Sequence, residues 1–140
     1  MSERPLPAVK ALIEESGKIL VLKTEDSGEV YWVLPGGKIE YGEEPREALE
    51  REIMEELSCD AEIHDPVGMY HFFTGSENSG KQIVLTVFEA EIDNQDIDIS
   101  ENPADEKITE YRWLEPEELI EKSSNRSLHD LVRKFSEEKI

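Results

Sequence analysis

Apolar residues recur with a period close to two along Gln82–Ile92, QIVLTVFEAEI, and this marks a strand with one or both faces buried. Ala8–Glu15 and Lys18–Thr24 read as two strands joined by a turn at Ser16-Gly17. Val30–Pro35 is a short third strand. Pro35-Gly36-Gly37 should break it, because proline removes a backbone donor and glycine tolerates unusual angles. Val67–Phe73 and Ile108–Leu114 are further strands, and Asp93–Glu106 is an acidic loop. The period changes to that of a helix over Pro45–Leu57, with proline suited to the first turn. Glu115–Lys122 and Arg126–Lys139 are amphipathic helices. Long strand runs mixed irregularly with helices predict an α+β chain, a mixed sheet with helices on its faces.

The 140 residues suit a single domain, 1–140, long enough to bury a core. No apolar run approaches a membrane-spanning length, and the start of the chain lacks the apolar core of a signal peptide. Cys59 is the only cysteine, so an internal disulfide is excluded; the expectation is a reducing cytoplasm. With 34 acidic and 15 basic residues the net charge is −19, which argues against non-specific binding to nucleic acid. Such acidity serves solubility, or binds cations that also mask repulsion towards an anionic substrate.

The charge bears most on the helix from Pro45. At roughly 100° per residue, Glu52, Glu55 and Glu56 share an arc about a quarter-turn wide. Leu49, Ile53 and Leu57 occupy the adjoining arc, which can face a core. Glutamates so spaced repel, and the repulsion grows if the face is partly buried. A divalent cation relieves it, and hard cations such as Mg²⁺ take oxygen ligands that they often share with phosphates. The plain alternative is a solvated helix face on which Arg51 pairs with Glu47 or Glu55.

The stretch around this helix resembles the Nudix box, G-x5-E-x7-R-E-U-x-E-E-x-G-U with U a bulky aliphatic residue. Gly37 opens it, Glu43 follows, and Arg51-Glu52-Ile53 and Glu55-Glu56 complete it. Leu34-Pro35-Gly36-Gly37 is also similar to the family's approach to the box. Two positions depart: Ser58 stands for the usual glycine and Cys59 for the aliphatic residue. Ser58 then ends the helix at a cost if a left-handed backbone is needed.

The resemblance implies an α/β/α sandwich and hydrolysis of a nucleoside di- or triphosphate derivative by attack of water at phosphorus. It implies Glu52, Glu55 and Glu56 as ligands of Mg²⁺ or Mn²⁺, with the Gly36 carbonyl as a further oxygen. It implies that Arg51 orients Glu43 and the helix rather than gripping substrate. For the general base Glu55 and Glu56 are candidates, and the resemblance implies as others the carboxylates of the loop after the long central strand: Glu101, Asp105 or, preferred for its position nearest the following strand, Glu106, with an exposed acidic loop residue as the plain alternative.

Tyr31, Trp32, Tyr70, His71, Phe72 and Phe73 are candidates to stack on a base, although aromatic residues in strands are more often core. Asn125 could read a base edge or cap the last helix. The proline of ADP-ribose-cleaving relatives is absent near Thr74, and Tyr70 falls too early for the tyrosine of diadenosine-polyphosphate relatives. By elimination the chain resembles the MutT-like group, which implies a pyrophosphohydrolase acting on nucleoside triphosphates, damaged ones included; the partner expected is this small nucleotide, with no membrane partner and with the oligomeric state open, a homodimer included. Two alternatives stand beside it. A non-catalytic nucleotide-binding module is opposed by the intact carboxylate set, and a cation-binding protein without phosphate chemistry by Leu34–Gly37.

Overall fold

The computed structural model describes residues 4–26, 28–74, 81–93, 96–103, 107–123 and 125–138. Eight strands and three helices follow in the order β1 (Leu6–Leu12), β2 (Glu14–Glu15), β3 (Lys18–Asp26), β4 (Glu29–Val33), β5 (Gly36–Lys38), α1 (Pro45–Leu57), β6 (Ala61–Thr74), β7 (Lys81–Ile92), β8 (Ile108–Leu114), α2 (Pro116–Lys122) and α3 (Arg126–Glu138). The expected mixed sheet is present as β5-β1-β7-β6, in which β1 runs parallel to β7 and the other pairs are antiparallel. A second sheet was not foreseen: β2, β4 and β8 all pair antiparallel with β3.

Alternation along the strands sends side chains to two separate cores. On β1, Ala8 and Leu12 join one core, and Val9 and Ala11 the other. On β3, Ile19 and Val21 oppose Leu20 and Leu22 in the same way. The first core is closed by Leu119 of α2 and Leu128, Leu131, Val132 and Phe135 of α3. The second is closed by Ala48, Leu49, Ile53 and Leu57 of α1. The result is an α/β/α sandwich. Each fully buried leucine or isoleucine contributes about 1.5–3 kcal/mol to holding the layers together.

Several sequence expectations need correction. The expected strand Ala8–Glu15 is divided, because pairing with β7 ends at Leu12 and Glu14–Glu15 turns to β3. The expected break at Pro35–Gly37 is short: from Gly36 the chain pairs again, Lys10 opposite Gly36 and Val9 opposite Gly37. The strand expected at Val67–Phe73 runs from Ala61 to Thr74, since register shifts on either side of Pro66 absorb the residue that cannot donate. The acidic loop is pinned within its described part. Asp98 N–H donates to the Leu57 carbonyl, Asn102 bonds both N–H and C=O of Ile108, and Ile97 and Ile99 pack on the α1 core.

Candidate active site

Helix α1 begins at a capping box. Glu44 accepts from Arg46 N–H at 3.1 Å, and Glu47 accepts from Glu44 N–H at 3.1 Å. Glu47 is thereby committed to the cap rather than to Arg51. The helix ends at Ser58 with φ 57° and ψ 31°, a left-handed residue whose N–H donates to Met54 O at 3.0 Å. Cys59 is buried in the α1 core and fills the apolar place its position calls for, and that burial pushes its thiol pKa up.

Between these ends the helix carries Glu52 and Glu56 into the interior, 6% and 2% exposed, as the buried charged residues among those described. Glu56 Oε1 accepts from Gly36 N–H at 2.8 Å. The Glu52 carboxylate lies over Gly37, where a Cβ would come within 2.6 Å of its Cδ. At Gly36, with φ +132°, a Cβ would come within 2.1 Å of Val9 O. Two consecutive glycines are thus required, one by the neighbouring strand and one by a carboxylate. Glu55 sits at the solvent side of the same arc, its side chain 38% exposed.

Arg51 joins the set. Its Nε donates to Glu43 Oε2 at 2.7 Å and its Nη2 to Glu43 Oε1 at 3.0 Å, a two-pronged pair. Nη1 reaches Glu52 Oε1 at 3.1 Å and Glu55 Oε1 at 3.3 Å, and Nη2 also holds Lys38 O at 3.2 Å. Glu43 further accepts from Glu40 N–H at 2.8 Å. The Arg51 guanidinium, aided by that backbone donor, draws the Glu43 pKa down to about 2; the same pairing with Glu43 raises that of Arg51.

Lys10 was not singled out by sequence pattern. Its Nζ donates to Leu34 O at 3.0 Å and Gly36 O at 3.1 Å, so the carbonyl offered as a metal ligand already holds an ammonium on one side. The available signal was a lone lysine inside the apolar run Ala8–Ile13. Glu101 is exposed, and Asp105 and Glu106 lie outside the described residues. A separate surface group, Glu62, His64 and Glu91 on β6 and β7, shares no residue with the α1 arc.

The aromatic candidates divide. Tyr70 is buried and Phe72 packs partly against the first core. Trp32 also packs there, its ring 5.0 Å from Arg112 and 5.6 Å from Lys122. Tyr31 is exposed and donates to Glu29 Oε2; Phe73 is exposed with His71 edge-on at 5.8 Å. Asn125 is a cap. Its Oδ1 accepts from Leu128 N–H at 3.1 Å and its Nδ2 donates to His71 O at 2.8 Å, which occupies both ends of the amide.

Buried carboxylates on one helical arc, beside backbone with no side chain in the way, form an all-oxygen donor set that suits a hard divalent cation.

The family model of the NUDIX domain matches residues 4–135. The nucleoside triphosphatase NudI of Escherichia coli is 31% identical over 133 residues, covering 87% of this chain and 90% of its own. A MutT-like protein of Streptomyces ambofaciens is 30% identical over 111 residues, covering 79% of this chain but 64% of its own length. Among solved structures, a MutT protein of Methanosarcina mazei superposes with TM-score 0.78 at 25% identity, over 99% of this chain and 98% of its own. The E. coli ORF135 protein superposes with TM-score 0.73, also at 25% identity, over 98% and 92%.

Proposed function

The chain belongs to the NUDIX family, and from that membership we propose that it hydrolyses a nucleoside di- or triphosphate derivative, MutT-like in kind, with Mg²⁺ or Mn²⁺ as cofactor. The observation that carries the proposal is the burial of Glu52 and Glu56 side by side, fitted against Gly36 and Gly37. A solvated glutamate face would leave both in water. Burying an ionised carboxylate costs several kcal/mol unless something compensates; Arg51 at Glu52 and Gly36 N–H at Glu56 offset part of this, and a cation held by the pair would add to that compensation.

Glu52, Glu55 and Glu56 would hold the ion. When bound, it polarises a phosphoryl oxygen, lowers the pKa of bound water and offsets developing charge. This chain's residues do the rest. Gly36 N–H holds one Glu56 oxygen in place and so orients the carboxylate. Arg51 keeps Glu52 and Glu55 aligned while anchored to Glu43. For the proton of the attacking water we favour Glu106 as acceptor, with Glu55, half-exposed on the same arc, as the second choice. A chain of net charge −19 repels a polyphosphate, so neutralisation at the site serves binding as well as chemistry. The name of the NudI relative, a nucleoside triphosphatase, favours nucleoside triphosphates over other nucleotide derivatives.

The test is a panel of nucleoside triphosphates, dinucleoside polyphosphates and nucleotide sugars incubated with Mg²⁺, with products identified by phosphorus NMR. Cleavage of a phosphoric anhydride in at least one class is expected. Tight binding of a nucleotide with no cleavage of any would make the protein a binding module instead.

A further inference from the structure

The segment that carries the two glycines crosses from the second sheet to the first. Strand β4 ends at Val33, β5 begins at Gly36, and Leu34, Pro35 and Gly36 between them are buried. Buried carbonyls need donors. All three find them on β1: Pro35 O accepts from Ala11 N–H at 2.8 Å, while Leu34 O and Gly36 O both accept from the single Lys10 ammonium.

Lys10 stands in an unusual row. Its neighbours two residues away on the same strand, Ala8 and Leu12, are core residues, 3% and 0% exposed. An ammonium placed at such a position costs free energy unless it has acceptors, and the two carbonyls are those acceptors. Opposite Lys10 in the ladder is Gly36 itself. The Gly36 residue is therefore gripped at both polar atoms, its C=O by Lys10 and its N–H by Glu56 Oε1. The next residue, Gly37, sets the floor beneath the Glu52 carboxylate.

We propose that Lys10 is a positioning residue of the active site, holding the Leu34–Gly36 crossing so that the Gly36–Gly37 backbone fixes Glu56 and Glu52. It rests on the proposed hydrolase activity for its kinetic consequence, but not for its structural one. Lys10 acts through the backbone and touches no substrate. Arginine at this position supplies the same donors and preserves the function. Methionine keeps the stem and removes the donors.

The experiment compares wild type, Lys10→Arg, Lys10→Met and, should the methionine variant fold poorly, Lys10→Leu, which also lacks a donor. Amide hydrogen exchange is followed by NMR on metal-free protein, and steady-state hydrolysis is measured with Mg²⁺. Gly36 N–H should exchange at least about tenfold faster in Lys10→Met than in wild type, as its protecting local structure loosens. The kcat should fall between roughly tenfold and a hundredfold with KM little changed, the signature of a misplaced site. Lys10→Arg should restore both. Unchanged Gly36 exchange and unchanged kcat in Lys10→Met would overturn the proposal. So would a raised KM at constant kcat, which would make Lys10 a substrate contact, and so would failure of Lys10→Arg to restore either quantity. If wild type hydrolyses nothing, the proposed function fails, and the exchange comparison alone decides the role of Lys10.

Discussion

Replacing Glu56 by glutamine keeps the shape of the side chain and removes its charge. Without metal two effects oppose. The bond from Gly36 N–H passes from a charged to a neutral acceptor, and charge-assisted bonds contribute about 1.5–3 kcal/mol against about 1 for neutral ones. That is a loss of about 1 kcal/mol. Glu56 is 2% exposed beside an equally buried Glu52, so neutralising it also removes a desolvation cost and a like-charge repulsion. The metal-free variant should therefore melt within a few degrees of wild type, or above it. In Mg²⁺ the comparison reverses. Wild type should gain stability as RT ln(1 + [Mg²⁺]/Kd), and the variant should gain much less. Turnover should fall on the order of a hundredfold or more, as for loss of a placed electrostatic group. The assay pairs thermal melts with and without Mg²⁺ and steady-state hydrolysis. A variant that matches wild type in both the Mg²⁺-induced shift and the turnover would mean that buried Glu56 has no part in metal binding.

Other consequences are as direct. Ser58→Gly should raise stability by about 1 kcal/mol, roughly 3 °C, because a left-handed backbone is costly for serine and free for glycine; an unchanged or lower urea midpoint would refute this. Arg51→Ala and Glu43→Ala should overlap in their effect on kcat, since each destroys the same pair, and strictly additive losses in a double-mutant cycle would show the two act separately. The Glu43 pKa is depressed in the fold from 4.5 to about 2, so its stabilising contribution is complete above pH 4.5 and disappears as pH falls towards 2. Acid titrations of wild type should show this loss across that window, and Glu43→Gln should flatten it; identical curves would refute it. Glu106→Gln should slow hydrolysis by on the order of a hundredfold, as for loss of a general base; undiminished turnover would leave Glu55 as the proton acceptor.

What the sequence revealed depended on how local the signal was. The α1 face was legible because a helix fixes angular position: Glu52, Glu55 and Glu56 had to share an arc, and Leu49 and Ile53 had to adjoin it. Alternation along Gln82–Ile92 likewise marked a strand, and the structure has β7 there. Division of the strands into two sheets was not legible, since β3 pairs with β8 across more than eighty residues of chain and no local period encodes that choice. Lys10 escaped for the same reason. Its partners, Leu34 and Gly36, are backbone atoms brought to it by strand register, and they leave no mark in the composition around it. Asn125 was ambiguous between a cap and a base contact until the fold set His71 O beside its amide.

The central claim is that the buried carboxylates of α1 exist to hold a divalent cation for phosphoanhydride hydrolysis. The most direct measurement is the initial rate of nucleoside triphosphate hydrolysis by protein stripped with chelator, followed as Mg²⁺ is returned. The account predicts no hydrolysis in chelator and a rate that rises to saturation with free Mg²⁺. A full rate in excess chelator would contradict it.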